Sequence, residues 1–362
     1  MEKLNLGFIG LGHVGQIAHF KNYLYNPKVN ISGICDSRLD IVENIGKRYG
    51  ITNTTNNAKS LINDPSIDAI VIVVDRGAVF SLCHDSLIAK KHVLTEKPMA
   101  LNSTDANKLV DIANKNNLVY KVGFMRKYDL GIDFFLNKVK GLLSDQTLGR
   151  LCLLRIHAFD SNSSYAGGHD SAQSDVPKVN SDPLGQVPKF IPPDRSYDYL
   201  NTLNVYSHHL NILNSIFDEN YDFNIQYVNF KNRHCRLVNL TIKSDTNFST
   251  EVILELGSIP AIVHDEYIEA SFEGGAIRVD FPPNMLKDAS AKVTLNTYGS
   301  ESQMIEQHNF PYSWSFRNQA FAFIDDVVDL RFDCINSGKT CLRDMLVHDK
   351  LWALELERAK ND

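Results

Sequence analysis

Short apolar runs alternate with stretches of helical period over the first third of the chain. Leu4, Leu6, Phe8 and Ile9 form a run of the kind found in strands covered on both faces. Further strands are expected at Val29–Cys35 and near Ala69–Val74, His92–Leu94 and Val119–Phe124. Between them the spacing predicts helices over Leu39–Tyr49, Ala58–Asn63, Val79–Lys90 and Thr104–Asn116, the last with Ser103 as its cap. Such alternation predicts right-handed crossovers and a parallel, doubly wound sheet.

After Phe124 the pattern changes. Ile132, Phe135, Leu136, Val139, Leu142 and Leu143 mark an amphipathic helix, and Leu151–Phe159 alternates as a strand. A polar stretch from Asp160 to about Tyr199, carrying Pro177, Pro183, Pro188, Pro192 and Pro193, reads as a long loop, of a length that is usually either functional or disordered. A helix is expected over Val205–Phe217. Strands then follow at Ile225–Phe230, Arg236–Ile242, Thr250–Leu256, Ala261–His264, Ile268–Phe272 and Ala276–Phe281, with another over Lys292–Tyr298. Gly274-Gly275 provides a hairpin turn, and helices over Phe316–Cys334 and Asp344–Lys360 close the sequence. The expected architecture is an α/β Rossmann domain over 1–126, with a doubly wound parallel sheet. An α+β domain over 127–362, with a large, mostly antiparallel open sheet, follows it.

The first strand runs into Gly10-Leu11-Gly12-His13-Val14-Gly15, a G-x-G-x-x-G turn, and Val14, Ile17, Ala18 and Leu24 continue it as a helix. Gly10 permits the tight turn, Gly12 lets a pyrophosphate approach the backbone, and Gly15 lets the helix lie close to the strand. Phosphates would meet the free N–H groups of a helix N-terminus. Asp36 follows the second strand about 20 residues on, where a carboxylate binds an adenosine ribose. The competing use of Asp36 is as a cap for the next helix. The predicted cofactor set is Gly10, Gly12, His13, Val14, Gly15, Asp36, Ser37 and Arg38. Arg38 leaves room for NADP, but Asp36 repels a 2′-phosphate, so NAD is favoured.

Composition narrows the partners. At 362 residues the chain is long for one core, which agrees with two domains. A net charge of −6 provides no general attraction to nucleic acid or to an anionic membrane. No apolar run approaches the ~18 residues of a spanning helix, and no signal-peptide pattern opens the sequence. The six cysteines are scattered without a C-x-x-C pair, as expected of a cytoplasmic protein. His208-His209 does not make a metal site, because neighbouring helix residues point some 100° apart.

His92-Val93-Leu94-Thr95-Glu96-Lys97-Pro98 sets a Glu-Lys-Pro triplet at the carboxyl end of a sheet strand. With the glycine turn, Gly123-Phe124-Met125-Arg126, Leu148-Gly149-Arg150 and Val205-Tyr206-Ser207-His208-His209-Leu210-Asn211-Ile212-Leu213, this resembles the Gfo/Idh/MocA oxidoreductases. These are the relatives of glucose–fructose oxidoreductase and inositol dehydrogenase. The resemblance implies hydride transfer between a nicotinamide and a secondary alcohol or ketone of a sugar or cyclitol. It makes Lys97 the holder of the substrate oxygen and His208 the general acid/base. It adds Asp75, Arg76, Glu96 and Lys97 to the cofactor set, and Arg126, Tyr128, His157 and Asn204 to the substrate set. His169 on the proline-bearing loop is a further candidate for closing over the site. A homodimer or homotetramer is also implied.

Two departures stand out. Asn204 occupies the place, four residues before the histidine, where the family usually carries Asp. An amide can position a hydroxyl but cannot stabilise an imidazolium as a carboxylate does. Val74-Asp75-Arg76-Gly77 replaces the family's usual Thr-Pro, so either unusual cofactor contacts or a solvated ion pair is expected there. Two other readings follow from the same residues: an NAD-dependent glycoside hydrolase, and a catalytically silent sugar sensor.

Overall fold

Unbroken apolar runs become the buried strands of the first sheet; every residue of Ala69–Ile72 is fully buried. The computed structural model describes residues 3–160, 171–178, 181–217, 221–232, 234–243, 248–258 and 264–361. Strand β1 (Leu4–Ile9) leads through the glycine turn into a helix whose Gly15–Phe20 segment is a π-helix and whose end is α1 (Lys21–Leu24). Then come β2 (Val29–Cys35), α2 (Leu39–Tyr49), β3 (Thr54–Thr55), α3 (Ala58–Ile62), β4 (Ala69–Ile72), α4 (Arg76–Ile88), β5 (His92–Thr95), α5 (Ser103–Lys115) and β6 (Tyr120–Val122). The six strands are parallel, in the order β3-β2-β1-β4-β5-β6. All their carboxyl ends therefore lie along one edge, where open α/β sheets bind ligands.

The second sheet is built differently. After α6 (Leu130–Asp145), β7 (Leu151–Asp160) and α7 (Ser196–Ile216) come seven strands: β8 (Phe223–Asn229), β9 (Arg236–Lys243), β10 (Ser249–Ser258), β11 (Asp265–Phe272), β12 (Gly275–Asp280), β13 (Lys292–Tyr298) and β14 (Gln303–His308). Their order is β14-β13-β12-β11-β7-β10-β9-β8, antiparallel except for the β7–β10 pair. Leu154, Ile156, Ala158, Ile268 and Ala270 fill the buried face. Helices α8 (Ser315–Val328) and α9 (Gly338–Asn361) complete the chain.

Two compact units result, and neither is a single stretch. The first comprises Met1–Phe124, Gly168–Leu200 and Phe316–Leu346; the second comprises Met125–Gly167, Asn201–Ser315 and Val347–Asp362. The end of the first contiguous piece lies close to the expected cut at 126, but a cut there misses two returns to the first unit. One return fills its core: Ala320, Phe323, Ile324 and Val327 of α8 pack with Leu6, Phe8, Phe20 and Tyr23. Beyond α8, the Val122 N–H donates to the Asn336 carbonyl, and the Asn336 amide donates to the Phe124 carbonyl, so this segment also closes the β6 edge.

Several local expectations need correction. The cap of α5 is Asn102, which accepts from the Asp105 N–H at 2.8 Å, not Ser103. Helix α4 begins three residues early because Asp75 caps it, accepting from the Gly77 N–H. Helix α7 begins at Ser196, directly after the last prolines, with Tyr199, Leu203 and Tyr206 buried at helical spacing. Helix α8 stops at Val328, and a turn at Leu330 (φ 53°) separates it from α9. Strand β14 was not expected: Met304 and Ile305 are both more than half exposed, so it carries no buried alternation. The expected Ala261–His264 strand lies largely outside the described residues, and His169 lies there entirely.

Candidate functional site

The glycine turn is a cradle that fits a pyrophosphate. Gly10 has φ +100°, and a Cβ on it would sit 2.0 Å from the Val73 carbonyl oxygen. A Cβ on Gly15 would sit 2.1 Å from the Gly10 carbonyl oxygen, so only glycine allows the helix this close to the strand. Gly12 differs from both. Around its hypothetical Cβ the nearest group is the Arg38 guanidinium at 4.0 Å, leaving space where a ligand would touch backbone. His13 and Val14 line the same turn half-exposed, and the His13 Nδ1 lies 3.3 Å from the Ser171 hydroxyl.

Asp36 is no helix cap. Its Oδ2 accepts from the Leu11 N–H at 2.8 Å, and its Oδ1 accepts from the Arg38 N–H at 3.1 Å. The Arg38 guanidinium also donates to both carboxylate oxygens, at 3.0 and 3.3 Å, and both residues are buried. Ser37 between them is exposed. Asp75 and Arg76 turn to different partners rather than to each other. Asp75 accepts from the Gly77 N–H and from the Ser181 hydroxyl, while Arg76 donates to the Leu200 carbonyl. Residues after β2, β1, β4 and β5 thus stand in a row along one sheet edge, at strand spacings of about 4.8 Å.

The Glu-Lys-Pro triplet follows β5 on that edge. Lys97 is half-buried, and its N–H donates to Glu96 Oε2 at 3.1 Å. Glu96 Oε1 lies 2.7 Å from Nε2 of His19, a residue of the π-helical turn with no exposed surface. Gln16, on the same turn, donates to the Leu11 and Ala172 carbonyls and accepts from the Ala172 N–H. Sequence reasoning missed both Gln16 and His19. Their signal is polarity on a helix that is otherwise buried: both are at most 6% exposed, beside Ile17, Ala18 and Phe20.

In the second unit Asn204 and His208 sit one turn apart on α7, both half-buried. His209, the next residue, places its Nε2 3.0 Å from Glu266 Oε1. Glu266 on β11 also accepts from Arg126, whose guanidinium packs 4.8 Å from the Phe281 ring centre. Burial pushes the Glu266 carboxyl up, but Arg126, then His209 and His264, more than offset this and hold it at about 2. Arg126 therefore lies in a buried ion pair beside buried Tyr128. His157 is not brought near α7. It projects from the sheet face opposite Leu154, Ile156 and Ala158, with Nδ1 2.8 Å from Glu255 and Nε2 3.1 Å from Asp265, stacked on Tyr267. Among the described residues no group of three or more His, Cys, Asp or Glu could hold a metal, and no helix is long and apolar enough to cross a membrane.

Residues 4–124 match the GFO_IDH_MocA family, an oxidoreductase family with an NAD-binding Rossmann fold. The myo-inositol 2-dehydrogenase of Thermotoga maritima is 29% identical over 157 residues, 43% of this chain and 46% of that protein. The inositol 2-dehydrogenase of Salmonella typhimurium is 25% identical over 174 residues, 47% of this chain and 50% of that protein. The matches thus span about half the length of these curated relatives. Among solved structures, KijD10, a 3-ketoreductase from Actinomadura kijaniata in complex with TDP-benzene and NADP, shares the fold. That likeness has a TM-score of 0.70 and 15% identity, covering 96% of each chain. The apo scyllo-inositol dehydrogenase of Lactobacillus casei gives a TM-score of 0.66 at 16% identity, covering 97% of this chain and 95% of that one. The glycine turn, Asp36 and the strand-end Glu-Lys-Pro all lie within residues 4–124, the part of the chain that is similar to the NAD-binding Rossmann fold of the GFO_IDH_MocA oxidoreductase family.

Proposed function

We propose that the chain is an NAD(H)-dependent oxidoreductase acting on a secondary alcohol or ketone of a sugar, cyclitol or sugar derivative. The observation that carries this is the open space at Gly12, between close-packed Gly10 and Gly15, on the same sheet edge as Lys97. Gly10, Gly12, His13, Val14 and Gly15 hold the pyrophosphate, and Asp36 with Arg38 meets the adenosine end. Asp75, Arg76 and Glu96 shape the rest of the edge. When bound, the nicotinamide supplies the site that gives or takes hydride. Lys97 holds the substrate oxygen and steadies the negative charge that grows on it. His208 takes the hydroxyl proton in oxidation and returns it in reduction, and Asn204 orients a neighbouring hydroxyl. Arg126 acts through the Glu266 pair rather than by direct contact. A cytoplasmic setting belongs to this reading.

Absorbance at 340 nm with a panel of polyols and keto-sugars tests it. Net NADH that disappears in Lys97→Ala supports the dehydrogenase. Sugar release without net NADH points to the hydrolase, and binding without turnover points to the sensor, which Asn204 mildly favours. In the same reading a second copy covers the half-exposed face of the eight-stranded sheet around Arg155, His157, Tyr267 and Arg278. A monomer by light scattering ends that part.

A further inference from the structure

The polar contacts of the π-helical turn concern the reacting lysine as much as the phosphates. His19 is fully buried, its ring edge-on to Phe316 at 5.2 Å, in a helix segment whose neighbours Ile17, Ala18 and Phe20 are core residues. Burying an imidazole there costs free energy unless it makes a hydrogen bond. It makes one, to Glu96 Oε1 at 2.7 Å. An ionised carboxylate only accepts, so the Nε2 of His19 carries the proton. The other Glu96 oxygen accepts from the Lys97 N–H at 3.1 Å. A carboxylate held at one oxygen by a core side chain and at the other by backbone has a fixed plane. The Lys97 Cα, from which the reacting ammonium extends, is fixed with it. Glu96 is also crowded from the β6 side, where a Cβ on Gly123 would lie 3.0 Å from its Oε1. The wider π turn presents Gln16 and His19 from one short segment, one toward the strap at Ala172 and one toward Glu96.

We propose that His19 is a positioning residue for Lys97, acting through Glu96 to fix the backbone at the catalytic lysine. It links the helix of the dinucleotide turn to the strand end that carries the reacting group. The inference rests on the role proposed for Lys97, so its test has an arm that needs no turnover.

The Lys97 amide hydrogen is followed by exchange in wild type, His19→Gln and His19→Ala. A glutamine amide reaches the same point with an N–H donor; alanine does not. In His19→Ala the Lys97 amide exchanges about tenfold faster or more, whereas in His19→Gln it stays within about threefold of wild type. With a substrate in hand, kcat in His19→Ala falls at least about tenfold while NADH affinity, read by fluorescence, stays within about threefold, and His19→Gln restores most of the rate. If His19→Ala does not fold, His19→Phe takes its place: it keeps a ring in the core but offers no N–H to Glu96, and the same faster exchange is expected. Unchanged exchange in the variant that folds, or a glutamine variant as damaged as the alanine one, overturns the proposal. Absence of NADH formation by wild type sinks the dehydrogenase reading instead, and the exchange arm still decides on His19.

Discussion

Glu266→Gln isolates the worth of one buried charge. The carboxylate sits under Arg126, His209 and His264, and these hold it at about 2 against an ordinary value of 4.5. A depression of that size is worth about 3 kcal/mol of preference for the ionised form in the folded state. The amide keeps the shape and loses the charge, leaving the Arg126 guanidinium buried without its counter-charge. Breaking one partner of a buried ion pair costs about 3–5 kcal/mol, so the two routes to the magnitude agree.

The sign with pH follows from the direction of the shift. A carboxyl lowered on folding stabilises fully above its unfolded value and loses that contribution as pH falls through its folded value. The difference between wild type and Glu266→Gln should be flat from pH 7 to 5, near 3 kcal/mol. It should shrink to about 2 kcal/mol at pH 3.5. The assay is urea denaturation followed by tryptophan fluorescence. Both tryptophans, Trp314 and Trp352, lie in the second unit with Glu266, so the signal reports that unit. Adding Arg126→Met to the variant should recover part of the loss, because the unpaired guanidinium is gone. A difference below about 1 kcal/mol at pH 7, or one no smaller at pH 3.5 than at pH 6, refutes the reasoning.

Gly12→Val should leave the fold intact and abolish NADH binding by fluorescence titration, since among the described residues beyond its chain neighbours only the Arg38 guanidinium, at 4.0 Å, comes near an added Cβ. Gly10→Ala should fail earlier, in thermal unfolding, because its Cβ meets the Val73 carbonyl at a positive φ. Equal stability of the two variants contradicts this. Asp129 caps α6 and also takes the Ala291 N–H, with burial raising its carboxyl despite those bonds. Asp129→Asn should stay within about 1 kcal/mol of wild type in the urea assay while Asp129→Ala loses about 2 kcal/mol; an Asn variant as weak as the Ala variant contradicts it. Asn204→Asp places a carboxylate one turn from His208 and should shift the acid limb of the pH–rate profile upward; an unmoved profile contradicts the role given to His208.

Both sheets could be read from the chain because their signals are local. The run at Ala69–Ile72 is apolar throughout, that at Leu4–Ile9 is broken only by Asn5 and Gly7, and β9 and β11 alternate strictly. The glycine turn and the Glu-Lys-Pro triplet are likewise motifs of fixed spacing. What escaped was of two kinds. The first turns of α7 lay hidden behind Pro192 and Pro193, although Tyr199, Leu203 and Tyr206 keep helical register, and β14 has no buried face to mark it. The partners escaped for a different reason. Glu266 is 140 residues from Arg126 and Glu96 is 77 from His19, and no periodicity connects positions so far apart.

At Asp36, the proposed ribose site, the partners are nearer in the chain, and they set what cofactor binding there would have to do. A carboxylate offers about four lone-pair sites, and the backbone N–H groups of Leu11 and Arg38 with two guanidinium donors of Arg38 fill them. A ribose diol can reach Asp36 only by displacing the Arg38 guanidinium, and the Leu11 N–H can stay. The displaced guanidinium is then near the adenosine end, where it would favour a 2′-phosphate as strongly as Asp36 opposes one. In the proposed reading the choice between NAD and NADP is therefore the difference between two opposed charges that are already paired with each other. Replacing either one alone alters both the cost of opening the pair and the field that the nucleotide meets.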